Sequence, residues 1–160
     1  MKTEEIQRML KFRVHDGEPE YLNYLDVKRN NYEIGKESDI IKALGIGPCL
    51  AITLYDSETK TGALAHINKY SYTTDSKLIP DLILWSLFSD MNVKNMSNLE
   101  ASLSGESEIE KEYRISDIIR EQLQQLKIPI IGEDLGDVKK GRIVCLDCYS
   151  GNVDVYRPMR

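Results

Sequence analysis

From Ser38 onward the chain is built of short apolar runs bounded by turn-forming residues. Asp39–Leu44, Cys49–Tyr55 and Thr61–Ile67 have the length and the β-branched, aromatic and aliphatic content of strands. Two segments carry a helical period instead. Pro80–Met91 opens with proline in a first-turn position and carries Leu82, Ile83, Trp85, Leu87 and Phe88. Ser116–Lys127 opens with Ser-Asp and spaces Ile119, Leu123 and Leu126 by four and three. Between them Leu99–Ser104 alternates, and Ile128–Gly132, Arg142–Cys148 and Asn152–Arg157 read as closing strands. Strands outnumber helices, which predicts a single α/β domain of the α+β kind: a largely antiparallel or mixed β-sandwich flanked by two or three helices. The head has another texture. One amphipathic turn pair (Ile6, Met9, Leu10) precedes a polar break at His15–Pro19, so residues 1–35 read as an N-terminal extension of a domain over 36–160.

Composition narrows the class without naming a chemistry. The 160 residues are 41% hydrophobic and 29% charged, a globular balance that excludes wholesale disorder. The formal charge of −5 and pI near 5.1 provide no broad cationic field, so nucleic acid is not an expected partner. No run approaches the roughly 20 apolar residues of a membrane helix. The start, Met1-Lys2-Thr3-Glu4-Glu5, has no apolar core behind a basic end. Membrane insertion is therefore not expected, and a cytoplasmic location is. Three cysteines form an odd, sparse set that suits reduced thiols. Cys145-x-x-Cys148 has no second pair to complete a four-ligand zinc site, and on a strand its thiols point to opposite faces. Neither a metal nor an organic cofactor is expected.

The candidate chemistry sits in Leu44-Gly45-Ile46-Gly47-Pro48-Cys49 and in Gly62-Ala63-Leu64-Ala65-His66. Two glycines and a proline make a tight approach to a cysteine, in which backbone N–H groups can be aimed at a developing oxyanion. The pair lacks the third glycine and the strand-loop-helix setting of a dinucleotide site. If Ser57–Lys60 form the hairpin loop, Asp56 faces Thr61 and His66 faces Ala51. Cys49 then shares the face of Ala51, about 7 to 8 Å diagonally from His66. An imidazole there can hold a thiolate as half of an ion pair. Cysteine is also among the most buried residue types, so spacing alone leaves a purely structural role open.

These residues resemble the CheD family of chemoreceptor glutamine deamidases. The likeness rests on Gly45-Ile46-Gly47-Pro48-Cys49, Leu54-Tyr55-Asp56 and Gly62-Ala63-Leu64-Ala65-His66. It continues more weakly through Leu99–Gly105, Glu133–Gly136 and Gly141-Arg142. The resemblance implies a cysteine hydrolase that converts protein glutamine to glutamate and ammonia. Cys49 would be the nucleophile, His66 the base, and Gly45, Gly47 and Pro48 the oxyanion loop. It further implies a glutamine-bearing, chemoreceptor-like protein substrate and a chemotaxis phosphatase as partner. The family's third catalytic element, a threonine six residues before the cysteine, is Ala43 here, and Pro48 replaces a serine. His66 is therefore expected to be held by a backbone carbonyl of Ile40–Leu44 or by Ser102 or Ser104. The alternative expectation is a non-catalytic CheD-like module that binds chemotaxis proteins and regulates them.

Overall fold

Two five-stranded sheets stack on one another in the computed structural model, which describes residues 11–20, 23–68, 82–107, 114–136 and 141–158. The strands are β1 (Phe12–Asp16), β2 (Leu25–Val27), β3 (Asn31–Lys36), β4 (Ile40–Ile46), β5 (Leu50–Asp56) and β6 (Thr61–Ile67). Helix α1 (Ile83–Met91) and a 3-10 turn (Met96–Asn98) lead to β7 (Leu99–Gly105), and α2 (Ile115–Gln125) leads to β8 (Ile130–Leu135). The strands β9 (Arg142–Asp147) and β10 (Val153–Arg157) follow. One sheet has the order β1-β10-β9-β4-β2, the other β3-β6-β5-β7-β8. The interior pairings are antiparallel, and β1–β10, β2–β4 and β7–β8 add parallel edge strands. This is the mixed α+β sandwich expected from the apolar pattern.

Every residue of β5 and β6 is buried, because both of their faces are covered. Ala51 and Leu64 point into the core between the sheets with Ile41, Ala43, Ile46 and Val144. Leu50, Ile52, Leu54, Ala63 and Ala65 point the other way, into a core shared with Leu84 and Leu87 of α1 and Ile119 and Leu123 of α2. Double burial removes the alternation a half-exposed strand would show, and the sequence reads as a near-continuous apolar run.

Residues 12–35, within the stretch 1–35 read as an extension, supply β1, β2 and all of β3 but its last residue. The first pairs with β10, the second with β4 and the third with β6. His15 and Asp16, expected in a polar loop, are the last residues of β1. His15 Nε2 lies 2.7 Å from Asp154 Oδ1, and Arg13 grips the same carboxylate through two N–H donors. Polar side chains satisfied across an edge strand erase the apolar signal that would have marked it. The predicted contacts of Ile6, Met9, Leu10 and Pro80 lie outside the described residues.

Candidate active site

The β5–β6 hairpin has the register its loop length predicts: Asp56 faces Thr61 and His66 faces Ala51. Cys49 occupies the bend immediately before β5, and both residues are nearly closed to solvent, Cys49 at 3% and His66 at 4% exposure. On the far side of Ala51 the register places Ser104 of β7, followed by Asp134 of β8. Asn31, His66, Ala51, Ser104 and Asp134 thus form one row across the second sheet. Directly paired residues share a face, so the row looks toward the first sheet, as Ala51 does.

Backbone contacts fix the cysteine bend. Gly45 has φ 66, a left-handed conformation that glycine adopts without a Cβ penalty, and its carbonyl accepts the Gly47 N–H at 2.9 Å. With that donor engaged and no N–H on Pro48, the glycine-rich approach contributes fewer oxyanion donors than its sequence suggests. The Glu106 N–H donates to the Cys49 carbonyl (2.9 Å) and the Ser107 N–H to the Gly47 carbonyl (3.0 Å). Gly105, at φ 127, passes so close that a Cβ there would lie 2.1 Å from the Cys49 carbonyl oxygen. Glu106 is buried, and its Oε2 accepts the Ser116 N–H at the start of α2.

The turn between β2 and β3 closes over the same end. Asn30 N–H donates to the His66 carbonyl (2.7 Å), and the Asn30 side chain accepts the Asn68 N–H (2.9 Å). Arg29 in this turn acts on both reactive groups. Burial raises the Cys49 thiol above its ordinary value, and Arg29 pulls it part of the way back. Burial, and after it the Arg29 charge, lower His66 to about 4, against a backbone contact with Val27 that raises it. The resting pair is thus a neutral thiol and a neutral imidazole, in place of the ion pair expected from the sequence. The sequence reading did not single out Arg29, whose only signal was a basic residue next to a turn.

Among the described residues no side chain bonds either ring nitrogen of His66, and the Val27 backbone contact falls short of full hydrogen-bond geometry. Ser102 is bonded instead to Thr53, Oγ to Oγ1 at 2.5 Å, and the Ser104 hydroxyl has no partner. Ala43 is fully buried beside Val27 in the sheet pairing and presents only a methyl group. The other cysteines lie away from this row. Cys148 packs in the inter-sheet core and Cys145 on the opposite face of the first sheet, paired with Lys42 and Asp154.

No family model matches the sequence. A protein of Clostridium tetani named "Probable chemoreceptor glutamine deamidase CheD" is 30% identical over 139 residues, covering 76% of this chain and 84% of that one. A Pyrococcus horikoshii protein of the same name is 31% identical over 139 residues, 77% of this chain and 85% of its own. A third, of Clostridium acetobutylicum, is 27% identical over 135 residues. Among solved structures, the Neisseria meningitidis protein NMB0706 aligns with a TM-score of 0.46 at 11% identity, over 83% of this chain and 66% of that one. So loose a match carries no conclusion.

Proposed function

This chain belongs to the CheD family of chemoreceptor glutamine deamidases, and we propose that it is itself a cysteine-dependent protein-glutamine deamidase with Cys49 as nucleophile and His66 as base. The observation that carries the reading is His66. Among the described residues, a buried, neutral imidazole with no side-chain hydrogen bond at either nitrogen stands at the end of the hairpin whose other strand begins just after Cys49. A structural histidine would have both nitrogens satisfied.

The chemistry needs no cofactor. His66 takes the Cys49 proton as sulfur adds to the side-chain carbonyl carbon of a glutamine, and the Cys49 N–H faces the resulting oxyanion. The imidazolium returns its proton to the amide nitrogen, ammonia leaves, and a thioester remains. Water, deprotonated by His66, attacks the thioester and releases glutamate and the thiol. The substrate in this proposal is a glutamine-bearing, chemoreceptor-like protein met in the cytoplasm, and a chemotaxis phosphatase is the proposed partner.

One observation favours the second reading, a binding and regulatory module without turnover: Ala43 leaves no side-chain hydroxyl to orient the ring. Ammonia release and mass spectrometry on chemoreceptor fragments separate the two. Conversion of glutamine to glutamate by the wild type and none by Cys49→Ala supports the enzyme. A silent wild type revived by Ala43→Thr establishes the module.

A further inference from the structure

The row His66–Ala51–Ser104 has an unusual content for the inside of a sandwich. Its middle member is a methyl group, and the residues on either side are polar, at least 95% buried and, among the described residues, without a side-chain partner at the His66 ring or at Ser104 Oγ. Buried polar groups are almost always hydrogen-bonded, because leaving one dry costs free energy that packing must offset. The neighbouring row shows the ordinary solution, where Thr53 and Ser102 bond to each other across adjacent strands. Nothing comparable joins His66 and Ser104, which stand two strands apart, roughly 10 Å at the backbone. The equally small Ala43 belongs to the same inter-sheet core as Ala51. Next to this row along the chain is the Cys49 bend, held by Glu106 and Ser107 from just beyond β7.

We propose that Ser104 is a substrate-binding residue, and that His66 and Ser104 frame across Ala51 the slot that receives the carboxamide of the target glutamine. The proposal rests on the deamidase reading and adds to it the group that recognises the amide. A carboxamide carries one acceptor oxygen and two N–H donors. The serine hydroxyl donates to the oxygen, and the one unprotonated nitrogen of the neutral imidazole accepts from the amide nitrogen while substrate binds, before it takes the Cys49 proton and passes it to that nitrogen as ammonia departs. A carboxylate has no donor to offer His66, and a dry, neutral slot opposes its charge. Glutamine is therefore held and glutamate expelled.

Two readouts test this, one independent of turnover. Iodoacetamide delivers a carboxamide to Cys49, whereas methyl methanethiosulfonate reacts with the same thiol and carries none. Ser104→Ala is expected to slow Cys49 labelling by iodoacetamide about tenfold, the scale of one lost hydrogen bond, while labelling by the thiosulfonate stays unchanged. Ser102→Ala is the control on the same strand and should leave that ratio alone. With a glutamine-bearing receptor fragment, Ser104→Ala should raise KM more than it lowers kcat. An unchanged labelling ratio in a folded Ser104→Ala protein overturns the slot, even if ammonia release is normal. A changed ratio with no ammonia from any receptor supports the slot and overturns the deamidase.

Discussion

His66 is one source of acid sensitivity in this fold. Burial, then Arg29, hold the folded-state ring near 4, against an ordinary value of 6.5. As pH falls between those values the unfolded chain takes up a proton that the folded chain refuses. The stabilising difference is therefore complete above about pH 6.5, shrinks as pH drops toward 4, and shrinks no further below it; in full it is worth about 3 kcal/mol. Urea unfolding of the wild type and of His66→Gln at pH 7 and pH 4.5 checks this, the variant being expected to lose less between the two. The thiols provide the second expectation. Burial pushes Cys145 and Cys148 up to about 12, while Arg29 moderates the rise at Cys49. Alkylation at pH 8 to 9 followed by peptide mapping should label Cys49 first, at a rate that climbs with pH and has no acidic plateau. What the sequence made legible of the candidate site is the register that sets His66 opposite Ala51, because a four-residue hairpin loop fixes it. Arg29 was not legible, since a guanidinium is ordinary on a turn until the fold brings that turn over a site.

Among the elements, β5 and β6 were the most legible: two seven-residue runs and a four-residue loop leave one register that buries both faces. Helices α1 and α2 fell where their period placed them, within three residues at each end. The three strands of the head were missed because each lies at a sheet edge, where polar side chains are satisfied by neighbours and no apolar rhythm is required. Strand β7 carries the sharpest local demand. Gly105 must keep φ 127 with the Cys49 carbonyl against its α-carbon, and its own carbonyl accepts the Gly136 N–H. Gly105→Ala is expected to cost about 2 kcal/mol or more through backbone strain. It should also displace the cysteine bend. Thermal unfolding measures the first effect, and a changed Cys49 alkylation rate in the surviving folded fraction measures the second.

Across the whole molecule, one side chain fastens the sheets where the site lies. Arg142, fully buried on β9 of the first sheet, donates to Asp134 of β8 (2.8 Å), to the Ser107 hydroxyl (2.9 Å) and to the Gly105 and Gly136 carbonyls of the second. Burial alone would raise the Asp134 carboxyl, but Arg157 and Arg142 outweigh it and hold the group below its ordinary value. That contribution is present above the usual carboxylate range and is lost as pH falls through the depressed folded value. Arg142→Met should cost about 3 kcal/mol, read calorimetrically as a fall in Tm of roughly 6 to 12 °C. Gly141-Arg142 was visible in the sequence as a motif, but its inter-sheet role was not, because the partners are 6 to 37 positions away. The parallel pairing of β1 with β10 has a consequence in time. Residues 31–135 contain every strand of the second sheet, whereas the first joins partners as far apart as Arg13 and Asp154. Loop-closure entropy favours near contacts, so the second sheet condenses early and the first is completed only when β1 and β10 meet, a topology expected to fold in milliseconds to seconds. Until that docking, the Ala51–Leu64 face stands open to water and to other chains. The slowest step of folding is thus also the step that encloses the cysteine and the histidine.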